Sequence, residues 1–261
     1  MGAKTSRAEI LSIGNELLIG HTLDTNSNWI AKQLNRLGWR LERVTQLRDS
    51  IDTISSGVRE ALRRHEEALI TLGGLGPTYD DMTLKGIAFA LRKPLIINRE
   101  ALDSIRKRYE RIGSKVALTR FRIKMATLPD GAKPIPNPIG TAPGVMVQSG
   151  QTTIFSLPGV PSEMKSIFTQ SIIPFLRGAS GRPPSEVQFR IVGIIESALA
   201  PILDHAQRKY PGLYFKSHPH GRETGKTPQI VLHVYNTNPE SERHIAEAVR
   251  YLAKQVAEAA K

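Results

Sequence analysis

Residues 68–83 read ALITLGGLGPTYDDMT, an apolar run that is followed by a glycine-rich loop and two adjacent aspartates. A continuous apolar run of this length is typical of a strand that is buried on both faces of a parallel sheet. Two similar units precede it, because predicted strands at 10–13 and 41–47 are each followed by a segment with helical spacing of apolar residues. Three such units predict an α/β fold with a mainly parallel sheet sandwiched by helices.

The rest of the chain indicates a second, smaller domain. The sequence GASGRPP at 178–184 has the composition of a linker, so we predict domains at 1–177 and 178–261. Beyond the linker the patterns follow the order strand, helix, strand, strand, helix. This order predicts a small α+β (βαββα) domain.

Composition excludes several classes of protein. The 261-residue chain has no cysteine, which excludes disulfides, thiolate metal sites and thiol nucleophiles. No apolar run approaches the ~20 residues of a membrane helix, and no signal peptide is recognisable, so we expect a cytoplasmic protein without a membrane partner. The net charge of +12 favours an anionic partner, although basic residues on solvated helix faces are the alternative explanation.

The glycine-rich loop predicts a phosphate site. Gly73, Gly74 and Gly76 allow the backbone to approach a ligand, and the amides at the start of the following helix favour phosphate. The loop is not a P-loop, since no Gly-Lys-Ser/Thr follows, and Tyr79 stands where a dinucleotide fingerprint needs its third glycine.

Asp80 and Asp81 add two negative charges beside this loop and would repel a bare phosphate. They are explained by Mg²⁺ or another divalent cation that lies between the carboxylates and the phosphates. Alternatively, one of them caps the helix that begins near Met82.

Further polar residues follow the first two strands. Glu16, Asp24 and Asn26 lie in a long loop where they can meet hydroxyls or a hydrated metal, and Asp49 completes a ring of carboxylates at three successive strand ends. For Asp24 and Asp49 the alternative is helix capping. Later in the chain, Asn137 and Thr141 can reach a ligand, or the prolines and glycines around them simply shape a turn.

Together these loops resemble the CinA (competence/damage-inducible) family and the MoaB/MogA-like molybdopterin-binding fold. The matching segments are long and occur in a fixed order. They are GNELL at 14–18, DTN at 24–26, GGLGPT at 73–78, the aspartates at 80–81, NPIGTAPG at 137–144 and LPGVPSEM at 157–164. The C-terminal segment resembles the small KH-like domain of these proteins.

The resemblance implies an activity. CinA-like proteins are similar to metal-dependent pyrophosphatases that split ADP-ribose into AMP and ribose 5-phosphate, whereas molybdenum-cofactor members bind or adenylylate a pterin. The implied partners are a phosphorylated nucleotide or pterin and a second copy of the chain in a dimer. Some CinA proteins also deamidate nicotinamide mononucleotide in a further domain, which we do not expect here.

Residue chemistry and resemblance together define the predicted site. Asp80 and Asp81 are assigned to catalysis, and the same two residues with Glu16 and Asp49 are assigned to the metal. The predicted substrate contacts are Gly14, Asn15, Glu16, Asp24, Asn26, Gly73, Gly74, Gly76, Thr78, Asn137, Gly140 and Thr141. A third class, nucleic-acid binding, is disfavoured because a KH clamp needs a Gly-x-x-Gly loop and only Tyr210-Pro211-Gly212 stands at that place.

Overall fold

A computed structural model of the chain describes residues 5–111, 119–178, 185–220, 227–236 and 239–259. The chain separates into two compact units, Met1–Gly181 and Arg182–Lys261. Apart from Gly178, the predicted linker at 178–184 lies outside the described residues, so the boundary after residue 177 remains a prediction.

The first unit alternates strands and helices along most of its length. Its described strands are β1 (Arg7–Ile13), β2 (Arg40–Leu47), β3 (Ala68–Leu72), β4 (Leu95–Ile97), β5 (Thr127–Pro129), β6 (Lys133–Ile135), β7 (Gly144–Ser149) and β8 (Thr152–Leu157). Its described helices are α1 (Asn15–Leu18), α2 (Thr25–Arg36), α3 (Ile51–Arg63), α4 (Thr83–Leu91), α5 (Arg99–Arg111), α6 (Arg120–Met125), α7 (Pro161–Ile167) and α8 (Ile173–Arg177), with a π-helical turn at Phe168–Ile172 between the last two.

Over the described residues, the main sheet has six strands in the order β2-β1-β3-β8-β7-β6. β2, β1, β3 and β8 run parallel, and β7 and β6 are antiparallel to their neighbours. β7 and β8 form a hairpin, with Ser149 opposite Thr152. Because four parallel strands end at the same edge, the loops that follow them meet there.

Both faces of this sheet are covered by helices, because successive side chains of a strand point to opposite sides. On one face Leu11 and Leu69 pack with residues of α3, α4 and α5, and on the other Ile10 and Ile70 pack with residues of α2 and α7. Full burial of one such side chain contributes roughly 1.5–3 kcal/mol. The predicted α/β sandwich is therefore confirmed.

The second unit has its own core and the predicted element order. It consists of β9 (Glu186–Val192), α9 (Glu196–Lys209), β10 (Leu213–His220), β11 (Gln229–Asn236), a 3₁₀ turn (Pro239–His244) and α10 (Ile245–Ala259). Among its described residues the strands form an antiparallel sheet in the order β10-β11-β9. Leu199, Leu232 and Leu252 are fully buried between this sheet and the two helices.

Candidate functional site

A cleft of about 610 Å³ lies at the carboxyl ends of the parallel strands. It is walled by the loops that follow β1, β3 and β8, together with Asp49 at the end of β2. The predicted site residues that line it are Gly14, Glu16, Asp24, Asn26, Asp49, Gly73, Gly74, Gly76, Thr78, Asp80, Asp81 and Thr141. The fold thus gathers residues that are up to 127 positions apart (141 minus 14) around one cavity.

The glycine loop is shaped by positive φ angles and by close packing. Gly73 and Gly74 have φ values of 95° and 66°, in the region that favours glycine. A Cβ atom on Gly73 would collide with the carbonyl oxygen of Ile13, and one on Gly74 with the Thr83 hydroxyl. Thr83 Oγ1 donates to the Gly73 carbonyl at 2.8 Å, which ties the loop to the first turn of α4. Side chains other than hydrogen therefore do not fit here.

Asp80 and Asp81 form a tight acidic turn with Thr78. The Thr78 hydroxyl lies within hydrogen-bonding distance of both carboxylates, and the Thr78 amide donates to Asp81 Oδ2 at 2.8 Å. The hydrogen bond from the Thr78 hydroxyl lowers the pKa of Asp80 most, and the backbone amide of Asp80 itself lowers it further. Met82 is the N-cap of α4 and makes no side-chain cap, so neither aspartate caps this helix. The capping alternative is wrong for this pair.

Negative charge is concentrated around Asp49. Burial raises the pKa of Asp49, the Asn15 amide at 3.0 Å from Oδ2 lowers it, and the charges of Glu16, Asp80 and Asp81 raise it further. Asn15 thus enters the site through its backbone rather than as a lining side chain. The Ser50 hydroxyl accepts a hydrogen bond from the Thr53 amide and so caps α3, which means that Asp49 does not cap this helix.

The carboxylates surround the cleft without converging on one point. Within the described part of the chain, no group of three or more His, Asp or Glu side chains is placed to hold a metal ion. The donor set fits Mg²⁺ as proteins usually bind it, through one or two carboxylates with retained waters and substrate phosphates rather than in an all-protein cage. The four-residue metal set remains a prediction.

Lys124 supplies a positive charge next to the acidic turn. Its Nζ donates to the Thr78 carbonyl oxygen. Burial lowers the pKa of Lys124, the charge of Asp81 raises it, and Lys85 lowers it again. This lysine was not predicted from the sequence, where it is one of many basic residues.

Asp24 and Asn26 have different roles in the loop after β1. Asp24 caps α2, accepting from the Ser27 amide at 2.9 Å and from the Ser27 hydroxyl at 2.6 Å, so its capping alternative is confirmed. Asn26 Nδ2 donates to the Gly159 carbonyl at 2.7 Å and so links the loops after β1 and β8. Asn26 Oδ1 is buried and accepts no hydrogen bond from the described residues. A buried orphan acceptor of this kind is a candidate ligand contact.

The Asn137 loop is held by its own hydrogen bonds. Asn137 Oδ1 accepts from the Gly140 amide at 2.8 Å, and Nδ2 donates to the Ala142 carbonyl and to Glu163 Oε2. Asn137 and Gly140 are not among the residues that line the cleft, whereas Thr141 is. The turn-shaping alternative therefore describes Asn137 as the structure places it.

Several lining residues were not assigned from the sequence. Pro158, Gly159 and Val160 follow β8, and Glu163 lies in the first turn of α7. The turn signal Pro-Gly-Val-Pro after an apolar run was visible at 158–161. It indicates a site loop only once β8 is known to lie beside β3.

Residues 9–178 match a family model described as "Probable molybdopterin binding domain". The chain belongs to this family. The match spans the sheet, the glycine loop and the acidic turn, and it agrees with the MoaB/MogA-like fold predicted from the loop motifs.

Individual relatives support this membership. A protein of Aeropyrum pernix is 44% identical over 251 residues, covering 95% of this chain and 91% of that protein. A protein of Metallosphaera sedula is 41% identical over 253 residues, covering 95% and 93%. The crystal structure of the protein CinA, of unknown function, from Thermoplasma acidophilum is similar with a TM-score of 0.61 and 37% identity, covering 65% of this chain and 98% of that one.

Two further sequence predictions concern membrane association and the second unit. None of the helices in the described ranges combines the length and apolar character needed to cross a membrane. The KH-like character of the second unit remains a prediction.

Proposed function

We propose that this chain is a divalent-metal-dependent pyrophosphatase that hydrolyses ADP-ribose or a similar nucleoside diphosphate compound. The observation that carries the proposal is the placement of Asp80 and Asp81 beside the glycine loop in one cleft with Glu16 and Asp49. A diphosphate ester needs both parts of this arrangement: amide donors for its oxygens and carboxylates for the cation that neutralises it.

Each part of the cleft has a defined task in this proposal. A divalent cation held by Asp80 and Asp81, with Glu16 or Asp49 nearby, would neutralise phosphate charge and lower the pKa of an attacking water. Thr78 orients both aspartates through its hydroxyl. The Gly73 amide donates to the Leu157 carbonyl at 2.9 Å, so the amides of residues 74–76 are the ones that would donate to the phosphate oxygens, where developing charge is stabilised most strongly.

The sugar of the substrate matches the other wall of the cleft. Asn26 Oδ1 is a buried acceptor that no described residue satisfies, and a ribose hydroxyl is a suitable donor for it. Asp24 holds the start of α2 and so positions Asn26, two residues later.

Molybdopterin binding or adenylylation is a second candidate, favoured by the description of the family. The same glycine loop and aspartates would then bind the phosphate of a pterin or of ATP. The two reactions differ in what they consume, since adenylylation requires ATP and releases pyrophosphate.

The deciding experiment incubates the full chain with ADP-ribose and Mg²⁺ or Mn²⁺, and separately with ATP and a pterin phosphate. Products are separated by ion-exchange chromatography. We expect AMP and ribose 5-phosphate in equal amounts from the first mixture, and none after EDTA treatment. Undiminished turnover after exhaustive EDTA treatment would refute the metal requirement. Consumption of ATP only with the pterin would favour the second candidate.

A further inference from the structure

A second cavity of about 290 Å³ is lined in part by the same glycine loop. Much of its lining is aliphatic and comes from Leu75, Leu84, Leu95 and Ile123. Leu75 and Leu84 are buried, and the other two are half-buried. An apolar cavity with few polar groups is typical of a site for a flat, weakly hydrated ligand group.

The cavity also carries cationic side chains. Lys85 and Arg120 are exposed, and Lys124 is half-buried. Lys124 bonds the Thr78 carbonyl, so it joins this cavity to the acidic turn of the larger cleft. An aliphatic slot with three cations at its lining suits an uncharged ring that is attached to phosphate.

The two cavities meet at the glycine loop and the acidic turn. Gly74, Leu75, Gly76 and Asp81 line both of them. Gly76 has no side chain, and a Cβ atom at this position would lie 2.6 Å from Asp81 Oδ2. A ligand whose phosphates rest on this loop can therefore extend into either cavity.

The chemistry of the two cavities differs in a way that orients the ligand. The larger cleft carries Glu16, Asp49 and the orphan acceptor of Asn26, which match hydroxyl groups. The smaller cavity is near the lower limit of roughly 300 Å³ for a small-molecule site, so it admits a bicyclic ring rather than a whole dinucleotide.

We propose that the smaller cavity binds the planar nitrogen heterocycle of the phosphorylated ligand, while the sugar at the other end of the diphosphate occupies the larger cleft. This inference rests on the proposed function for the identity of the ligand. Adenine and a pterin share the required ring chemistry, and the experiment below distinguishes them.

The test measures binding of AMP, ribose 5-phosphate and a pterin phosphate by calorimetry to the full chain and to Ile123→Trp, which fills the cavity. We expect the affinity for AMP to fall by at least ~10-fold, the loss of about 1.4 kcal/mol, with ribose 5-phosphate unchanged. Phe121→Trp is the matched control, because Phe121 lies on the same helix and lines neither cavity. Its affinities should equal those of the unmodified chain.

Arg120→Glu is a second variant that keeps the test decisive if Ile123→Trp does not fold. Arg120 is exposed, so its replacement should preserve folding, and it should weaken binding of AMP more than binding of adenosine. Unchanged affinities for both AMP and the pterin phosphate in a folded Ile123→Trp, no ring-containing ligand bound by the unmodified chain, or equal losses of AMP and adenosine in Arg120→Glu would each overturn the proposal.

The outcome is separable from that of the proposed function. Loss of pterin rather than AMP binding in Ile123→Trp would support the ring pocket and assign it to the pterin. AMP binding that depends on Ile123 in a chain without hydrolytic activity would support the pocket and refute only the pyrophosphatase. Hydrolysis of ADP-ribose with AMP binding insensitive to Ile123→Trp would refute only the pocket.

Discussion

Asp81→Asn separates a role in metal binding from a role in the fold. Asp81 Oδ2 accepts from the Thr78 amide at 2.8 Å and from the Thr78 hydroxyl, and an asparagine oxygen can accept the same bonds. The substitution keeps the shape of the side chain and removes one negative charge. Helix α4 is unaffected in principle, since its N-cap is Met82.

The expected effects on stability and on turnover differ greatly in size. A hydrogen bond contributes about 1 kcal/mol net, and this partly exposed turn retains its bonds, so the free energy of unfolding should change by less than ~1 kcal/mol. Losing one strong electrostatic contact to a transition state costs on the order of 3 kcal/mol, so metal-supported turnover should fall at least ~100-fold. Excess Mg²⁺ should recover part of the loss if metal affinity is the cause.

The assay compares thermal unfolding and ADP-ribose turnover for three variants. Asp130→Asn is the control, because Asp130 is an exposed carboxylate outside both cavities and loses the same charge. Asp81→Ala removes the bonds to Thr78 as well, so it should be less stable than Asp81→Asn and equally inactive. Full activity of Asp81→Asn would refute the assigned role, and a large loss of stability in it would show that the charge serves the turn instead.

Three further predictions concern stability, charge and assembly. Burial raises the pKa of Glu66, although the charge of Arg7 opposes this, so the ionised form of Glu66 disfavours folding. Glu66→Gln should therefore raise Tm at pH 7, and this gain should fade towards pH ~4, where Glu66 is protonated in both states. An equal gain in Tm at both pH values would contradict the reasoning. Because the net charge is +12 and no Gly-x-x-Gly clamp is present in the sequence between α9 and β10, nucleic-acid binding should be weak, sequence-independent and salt-sensitive; tight binding of one sequence at high salt would reverse this ranking. The family resemblance implies a dimer, and we predict that the second domain helps to form it through an edge or face of its small sheet. Light scattering should then give a dimer for the full chain and a folded monomer for residues 1–177, and a monomeric full chain would contradict this prediction.

The fold was predictable where local signals agreed with one another. The apolar run at 68–72 is observed as β3 with the same bounds, and Asp24 caps α2 as its position indicated. Short elements were not predictable, because three-residue strands such as β4 and β5 and the four-residue α1 carry too little periodicity to recognise.

The neighbour of a strand was harder to predict than the strand itself. β8 pairs with β7 across a short turn, but nothing in the residues of β8 indicates that its other edge pairs with β3. That pairing brings the two loops together, so that a Cβ atom placed on Gly159 would lie 3.5 Å from the Cα atom of Gly73. The loop after β8 was therefore overlooked as a wall of the cleft.

The sequence predicts where the carboxylates lie along the sheet edge, but it does not predict which way their side chains point. Parallel strand ends bring Glu16, Asp49 and the acidic turn together, but whether an oxygen faces a ligand or a neighbouring amide depends on rotamers and on local turns. Asp24 faces Ser27, whereas both aspartates of the acidic turn face Thr78. The same residue type at the end of a parallel strand thus caps a helix in one loop and bonds a threonine hydroxyl in the other.

The energetics of Asp49 make this concentration of charge a candidate for function. Burial raises the pKa of Asp49, and three neighbouring carboxylates raise it further, while the Asn15 amide only partly opposes them. Ionised Asp49 therefore reduces stability, and a neutral residue would relieve the repulsion. Groups with perturbed pKa values in a cleft are candidates for function, because uncharged residues in the same places would leave the folded state more stable. A cation bound near Asp80 and Asp81 would reverse the sign of the interaction at Asp49, so metal binding should stabilise the fold as well as enable the chemistry.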